Sequence, residues 1–151
     1  MSEHQMPKGP FLTRDPIPAD TVERVSAELR ADPRIGAVVS FQGVVRADEI
    51  AEGTVSAIEF SAHKEMAERT IEDLIARLTP QETASATRIY LRHALGRVPV
   101  GGVPIVIVVG TGHRAEAFAL CSGILEALKH EVPLYGKELT AEGGYGWKTN
   151  T

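Results

Sequence analysis

The spacing of apolar residues changes along this chain, and each change marks an element. Residues 1–18 show no apolar period and carry four prolines. They read as an extended lead-in, suited to pairing at a sheet edge. From Asp20 the spacing turns helical through Val22, Val25 and Leu29, and Asp32-Pro33 stops that helix. Gly36 to Arg46, GAVVSFQGVVR, is rich in β-branched residues and reads as a buried strand interrupted at Gly43. Residues 47–54 are acidic and small, a loop. Ile58, Phe60 and Ala62 then alternate with polar neighbours between Ser56 and His63, the pattern of a half-buried strand. Lys64 to Leu78 is a predicted helix with Ala67, Thr70, Ile71, Leu74 and Leu78 on one face, closed by Thr79-Pro80.

Thr87 to Leu95 reads as a strand, Arg97 to Gly102 as a turn, and Val103 to Val109 as the most apolar strand. A helix follows from about Ala115 to Glu131, with Phe118, Cys121, Leu125, Leu128 and Val132 as its core stripe. Pro133 stops it, and the glycine-rich remainder reads as loop plus a short strand. The order α, β, β, α, β, β, α places strands next to strands. That favours a mixed or antiparallel sheet in an α+β domain over a doubly wound parallel one. The expected division is a lead-in over 1–18 and a single domain over 19–151. The apolar excess of Val103–Val109, with limited helix to cover it, predicts a homodimer.

Composition narrows the class. The 151 residues suit one ordinary domain, with 43% hydrophobic and 24% charged residues. A balance of 16 Lys+Arg against 20 Asp+Glu argues against nucleic-acid binding, which needs a basic surplus. The single cysteine, Cys121, excludes an internal disulfide and lies within a core stripe, so it reads as a small buried hydrophobe. No apolar run is long enough for a membrane span, and the polar first ten residues do not resemble a signal peptide. A cytoplasmic protein is the expectation. The histidines at 4, 63, 93, 113 and 130 have no metal-ligand spacing, and no metal or cofactor is expected.

The strongest local signal is Gly110-Thr111-Gly112-His113-Arg114, between an apolar strand and a helix. A helix N-terminus presents free N–H donors and a partial positive charge, and Arg114 adds a planar fork suited to phosphate. His113 and Arg114 are therefore candidates for an anion site. Read with Ala115, the same run matches a loose dinucleotide fingerprint, but no apolar strand follows the helix, as a βαβ unit would need. Lys129 falls at the margin of the helix stripe, either as a snorkelling surface residue or as a partly desolvated amine. Arg46 and His63 end strands, where binding residues are often placed.

Several segments in order resemble the large subunit of molybdopterin synthase: GAVVSFQGVVR (36–46), IEFSAHKEMAE (58–68), LGRVPVGG (95–102), GHRAEAFALC (112–121) and LKHEVPLYGKE (128–138). The resemblance implies a hammerhead-like α/β fold of the α+β type, homodimeric, with each subunit binding one ubiquitin-like small subunit. That small subunit ends in Gly-Gly carried as a thiocarboxylate. Its tail donates sulfur to cyclic pyranopterin monophosphate, and two transfers form the molybdopterin dithiolene. Carried across, Arg46, His113 and Arg114 correspond to substrate-binding residues and Lys129 to the reaction-centre lysine. The family's second lysine falls on Gly136, with Lys137 one residue further as its candidate replacement. His63 stands where the family often has tyrosine. Gly136 and the four residues after Trp147, where a longer basic tail is usual, raise an alternative: a degenerate paralogue that binds the small subunit with little or no catalysis.

Overall fold

The structure is a computed structural model. It describes residues 7, 9–80 and 86–149, together with the backbone of residues 4 and 5. In chain order the elements are β1 (His4–Gln5), β2 (Leu12–Thr13), α1 (Thr21–Arg30), β3 (Ala37–Gly43), β4 (Glu49–Ile50), β5 (Gly53–Ala62), α2 (Lys64–Leu78), β6 (Thr87–Ala94), β7 (Gly96–Pro99), β8 (Ile105–Thr111), α3 (Arg114–Glu131), β9 (Leu134–Thr140) and β10 (Tyr145–Trp147). They form two sheets. The first runs β1-β6-β8-β3, with β2 also on β6; the second runs β10-β9-β5-β4, with β7 also on β5.

The first sheet is built on β8. It lies antiparallel between β3 and β6, and all seven of its residues are buried. Ile105, Ile107 and Val109 enter the main core with residues of α2 and α3, while Val106 and Val108 pack with Val25 and Leu29 of α1. Successive side chains of a strand point to opposite faces, and both faces of β8 are covered within the chain. Its apolar excess is thus used internally and supplies no argument for a dimer.

The lead-in is tied to this sheet. Leu12 and Thr13 pair parallel with His93 and Ala94 of β6. The Glu68 carboxylate of α2 accepts from the backbone N–H groups of Phe11, at 2.6 Å, and Leu12, at 2.9 Å. Phe11 and Leu12 are core residues.

The second sheet departs most from expectation. Residues 134–140, expected as mostly loop, form β9, which pairs with β5 from Ala62↔Leu134 to Val55↔Thr140 through a bulge between Val55 and Ala57. Residues 96–99, overlapping the turn expected over 97–102, form β7 on the other edge of β5. Both segments are short and glycine-containing, so period counting finds no signal in them. Their pairing comes from an existing partner, β5, which offers both edges.

In α3 the buried residues are Ala117, Leu120, Cys121, Ile124 and Leu128. Phe118, expected in the stripe, is 63% exposed. The apolar face is rotated toward the small residues Ala117 and Cys121, which let α3 pack closely on the first sheet. In α2 the buried set is Ala67, Ile71, Leu74 and Ile75. Among the described residues no helix is long and apolar enough to cross a membrane.

Candidate functional site

A cavity of about 860 Å³ opens where the C-terminal end of α3 meets the end of β3 and the second sheet. Its apolar wall includes Phe41, Ile58, Phe60, Ile105, Leu125 and Leu128. Its polar groups include Arg46, Lys129, Lys148, Glu138 and His93. That size and mixture suit an organic ligand held by a few polar contacts.

Each side chain is placed by a local device. Val45 donates its N–H to Gly102 O at 3.0 Å and accepts from Gly101 N–H at 2.9 Å. With Val45 buried, Val44 and Arg46 on either side are turned outward, and Arg46 reaches the cavity and Asp48, at 3.3 Å. Lys129 lies in the last turn of α3, where a cation interacts favourably with the helix dipole. It is half-buried and lines the cavity. Arg77 of α2 grips Glu131 through two hydrogen bonds, at 3.0 and 2.6 Å, and fixes this end of α3 against α2. The Arg77 guanidinium holds the Glu131 carboxyl below its usual range.

His113 and Arg114 are elsewhere. His113 is the N-cap residue of α3, its extended backbone fixed by Thr111 Oγ1 donating to His113 O at 2.6 Å, and both side chains are exposed. Neither lines the cavity. The separation follows from the register. Ala37 pairs with Thr111 and Gly43 with Ile105, so β3 delivers Arg46 to the opposite end of β8 from His113, about 20 Å away at 3.4 Å per residue. Arg114 and Lys129 are fifteen residues apart on one helix, about 22 Å at 1.5 Å per residue. The three residues that the resemblance makes substrate-binding, Arg46, His113 and Arg114, are therefore not brought together within one chain; Arg46 shares the cavity with Lys129 instead.

Lys137 is off the cavity. It pairs with Glu59 and Trp147, and its Nζ lies 4.1 Å from the centre of the Tyr145 ring. Gly136, its neighbour on the opposite face of β9, does line the cavity, as do Tyr135 and Trp147.

Two cavity residues were missed by the reading of the sequence. His93 is 4% exposed and packs edge-on to Phe60, with ring centres 5.0 Å apart. Its Nδ1 lies 2.7 Å from Ala94 O, which selects the tautomer that donates there and leaves Nε2 as an acceptor. Burial lowers its pKa to about 4, so the ring is neutral at neutral pH. The alternation Thr87, Ile89, Leu91, His93 on β6, all buried, was the available signal. The other is Lys148, placed by a pairing of β10 that no local pattern announces.

The chain's relatives agree with one another. The family described as MoaE protein matches residues 12–131. The molybdopterin synthase catalytic subunit of a Nostoc species is 31% identical over 151 aligned positions, spanning 94% of this chain and 90% of that protein. That of Thermoplasma volcanium is 33% identical, spanning 89% and 92%. Among solved structures, the MoaE protein of Burkholderia ambifaria superposes with a TM-score of 0.71 at 28% identity, covering 90% of this chain and 85% of that one. A complex of subunits 1 and 2 of the molybdopterin-converting factor from Helicobacter pylori shares the fold, with a TM-score of 0.74 at 15% identity over 99% of this chain and 92% of that one.

Proposed function

The chain belongs to the MoaE protein family, and on that premise we propose that its cavity serves the sulfur transfer of a molybdopterin synthase catalytic subunit. The reaction moves sulfur from the C-terminal thiocarboxylate of a ubiquitin-like small subunit to cyclic pyranopterin monophosphate, forming the dithiolene of molybdopterin. The observation that carries the reading is the joint placement of Arg46 and Lys129 in one cavity with an apolar wall. Both reactants are anions, and they repel until cations bring them together. Arg46 offers a planar fork to the phosphate. Lys129, half-buried, faces the charge that develops as sulfur attacks and can pass a proton to the leaving oxygen. A tail ending in Gly-Gly, lacking side chains, suits entry along the wall formed by Phe60, Leu134 and Gly136.

His113 and Arg114 belong to the same reading through a second copy of the chain. A homodimer that sets the N-terminal end of one α3 beside the cavity of its partner completes an anion site from both subunits. The exposed Phe118, one turn along α3 from Arg114, supplies apolar surface for such a contact. Lys137 is assigned a lesser role, beside Tyr145 at the edge of the site. The relatives named as catalytic subunits favour an active enzyme over a degenerate one. The deciding experiment mixes the purified chain with a thiocarboxylated small subunit and the pterin precursor. Dithiolene formation is expected from the wild type; its absence with both partners intact would overturn the reading.

A further inference from the structure

The geometry points to Lys148 as a substrate-contact residue that holds the phosphate of the pterin precursor in the cavity; this rests on the sulfur-transfer reading above. Strand pairing places it there. In the β9–β10 ladder Glu138 faces Gly146 and Lys137 faces Trp147. Lys148 continues the ladder by one residue, its N–H donating to Gly136 O at 2.8 Å. On the other side of β9, Gly136 faces Phe60 and Glu138 faces Ile58. Directly opposed residues share a face of the sheet. Ile58, Phe60, Gly136, Glu138 and Lys148 are therefore on one face, and all five line the cavity.

Gly136 makes room for this. A Cβ at position 136 would come within 3.1 Å of Ile58 Cγ2, 3.4 Å of Phe60 Cε1 and 3.5 Å of Lys148 Cβ. The space a side chain at 136 would enter is thus bordered by the stem of Lys148. The amine is also available. Among the described residues, the acidic groups of the wall are Asp48, which is bonded to Arg46, Glu131, which is bonded to Arg77, and Glu138, which makes no ion pair with Lys148. Three cations from three segments then surround one space: Arg46 after β3, Lys129 at the end of α3 and Lys148 after β10. Lys129 is half-buried, whereas Lys148 is exposed at the mouth beside Trp147. A lysine that keeps its water suits a phosphate that also stays partly hydrated.

Binding of cyclic pyranopterin monophosphate by calorimetry, without the small subunit so that no chemistry occurs, tests the assignment. Lys148→Ala is expected to weaken binding about tenfold, with Lys148→Arg retaining most of it. In the full assay KM for the precursor rises by a similar factor, kcat stays within about twofold, and KM for the thiocarboxylated small subunit is unchanged. Equal precursor affinity in Lys148→Ala and wild type would overturn the assignment while leaving the sulfur-transfer reading intact. So would a change confined to the KM of the small subunit, which would make the tail carboxyl the anion held. A wild type that neither binds precursor nor transfers sulfur would sink both.

Discussion

The two ends of α3 hold cations in different settings. At the C-terminal end, Lys129 is half-buried in a cavity walled by two sheets, and the Arg77–Glu131 pair anchors the turn behind it. At the N-terminal end, His113 and Arg114 are exposed and lie outside that cavity. The C-terminal cation opposes the negative end of the helix dipole, and its placement is favourable without a ligand. Arg114 stands in the first turn, at the positive end, and is favourable there only when an anion docks beside it. In the proposed function the first end is a site formed within one chain, and the second is half of a site, completed by an anion and a second subunit.

The largest effect should come from the formed end. Lys129→Ala is expected to lower the rate of sulfur transfer by at least about 10²-fold, the scale for a positioned proton-transfer group, while the fold and small-subunit binding are kept and stability falls by about 0.3–1 kcal/mol, the scale of a cation at a helix C-terminus. Turnover at the wild-type rate would remove Lys129 from the chemistry.

The half-site gives the next effect. Arg114→Ala should cost about 1.5–3 kcal/mol of precursor binding, the scale of a charged hydrogen bond. Mixing Arg114→Ala with Lys129→Ala sharpens the comparison, because a mixed dimer with shared pockets contains one undamaged site. Recovery of activity on mixing is expected, and no recovery after proven subunit exchange would place both residues in one subunit's pocket. Light scattering that shows a monomer at micromolar concentration would exclude the shared site directly.

A third effect belongs to the cavity's buried histidine. The folded-state pKa of His93 is about 4, below the ordinary 6.5, because burial disfavours the charged ring. Between these values the unfolded chain binds the proton and the folded chain does not. Stability from this group is therefore full above pH 6.5 and is lost as pH falls toward 4, by about 3 kcal/mol. Urea titrations across that window should show the slope, and His93→Gln should flatten it. The Asp32 carboxyl, held at about 2 chiefly by its hydrogen bond from the Arg34 side chain, acts in a lower window and leaves this one clear. An unchanged slope in His93→Gln would assign the pH dependence to other groups.

The smallest effect is expected at Lys137, whose amine lies over Tyr145 outside the cavity. Lys137→Ala should change kcat/KM by less than about fivefold, the scale of an exposed cation–π contact of about 0.5–1 kcal/mol. A full loss would show that this amine reaches the reacting atoms.

Much of this was legible in the amino-acid order. The spans of α1, α2 and α3 follow from 3.6-residue periodicity and proline stops, and β8 from a run of β-branched residues. Arg46, His113, Arg114 and Lys129 were singled out by residue type at element ends and by resemblance, and two of the four meet in the cavity. Such properties are local: a period, a stop or a charge near a helix end needs only a few neighbours in the chain.

What only the tertiary structure decided is long-range and turns on register. Strands β7 and β9 exist because β5 offers two free edges, not because their own residues alternate cleanly. Parity then sorts the lysines: Gly136 and Lys148 oppose each other on the cavity face, so Lys137, one residue away, is turned to the other side. The antiparallel pairing of β3 with β8 likewise sends Arg46 toward Lys129 and away from Arg114. A shift of one residue in strand register exchanges every side chain between faces, and that register is set by partners far along the chain.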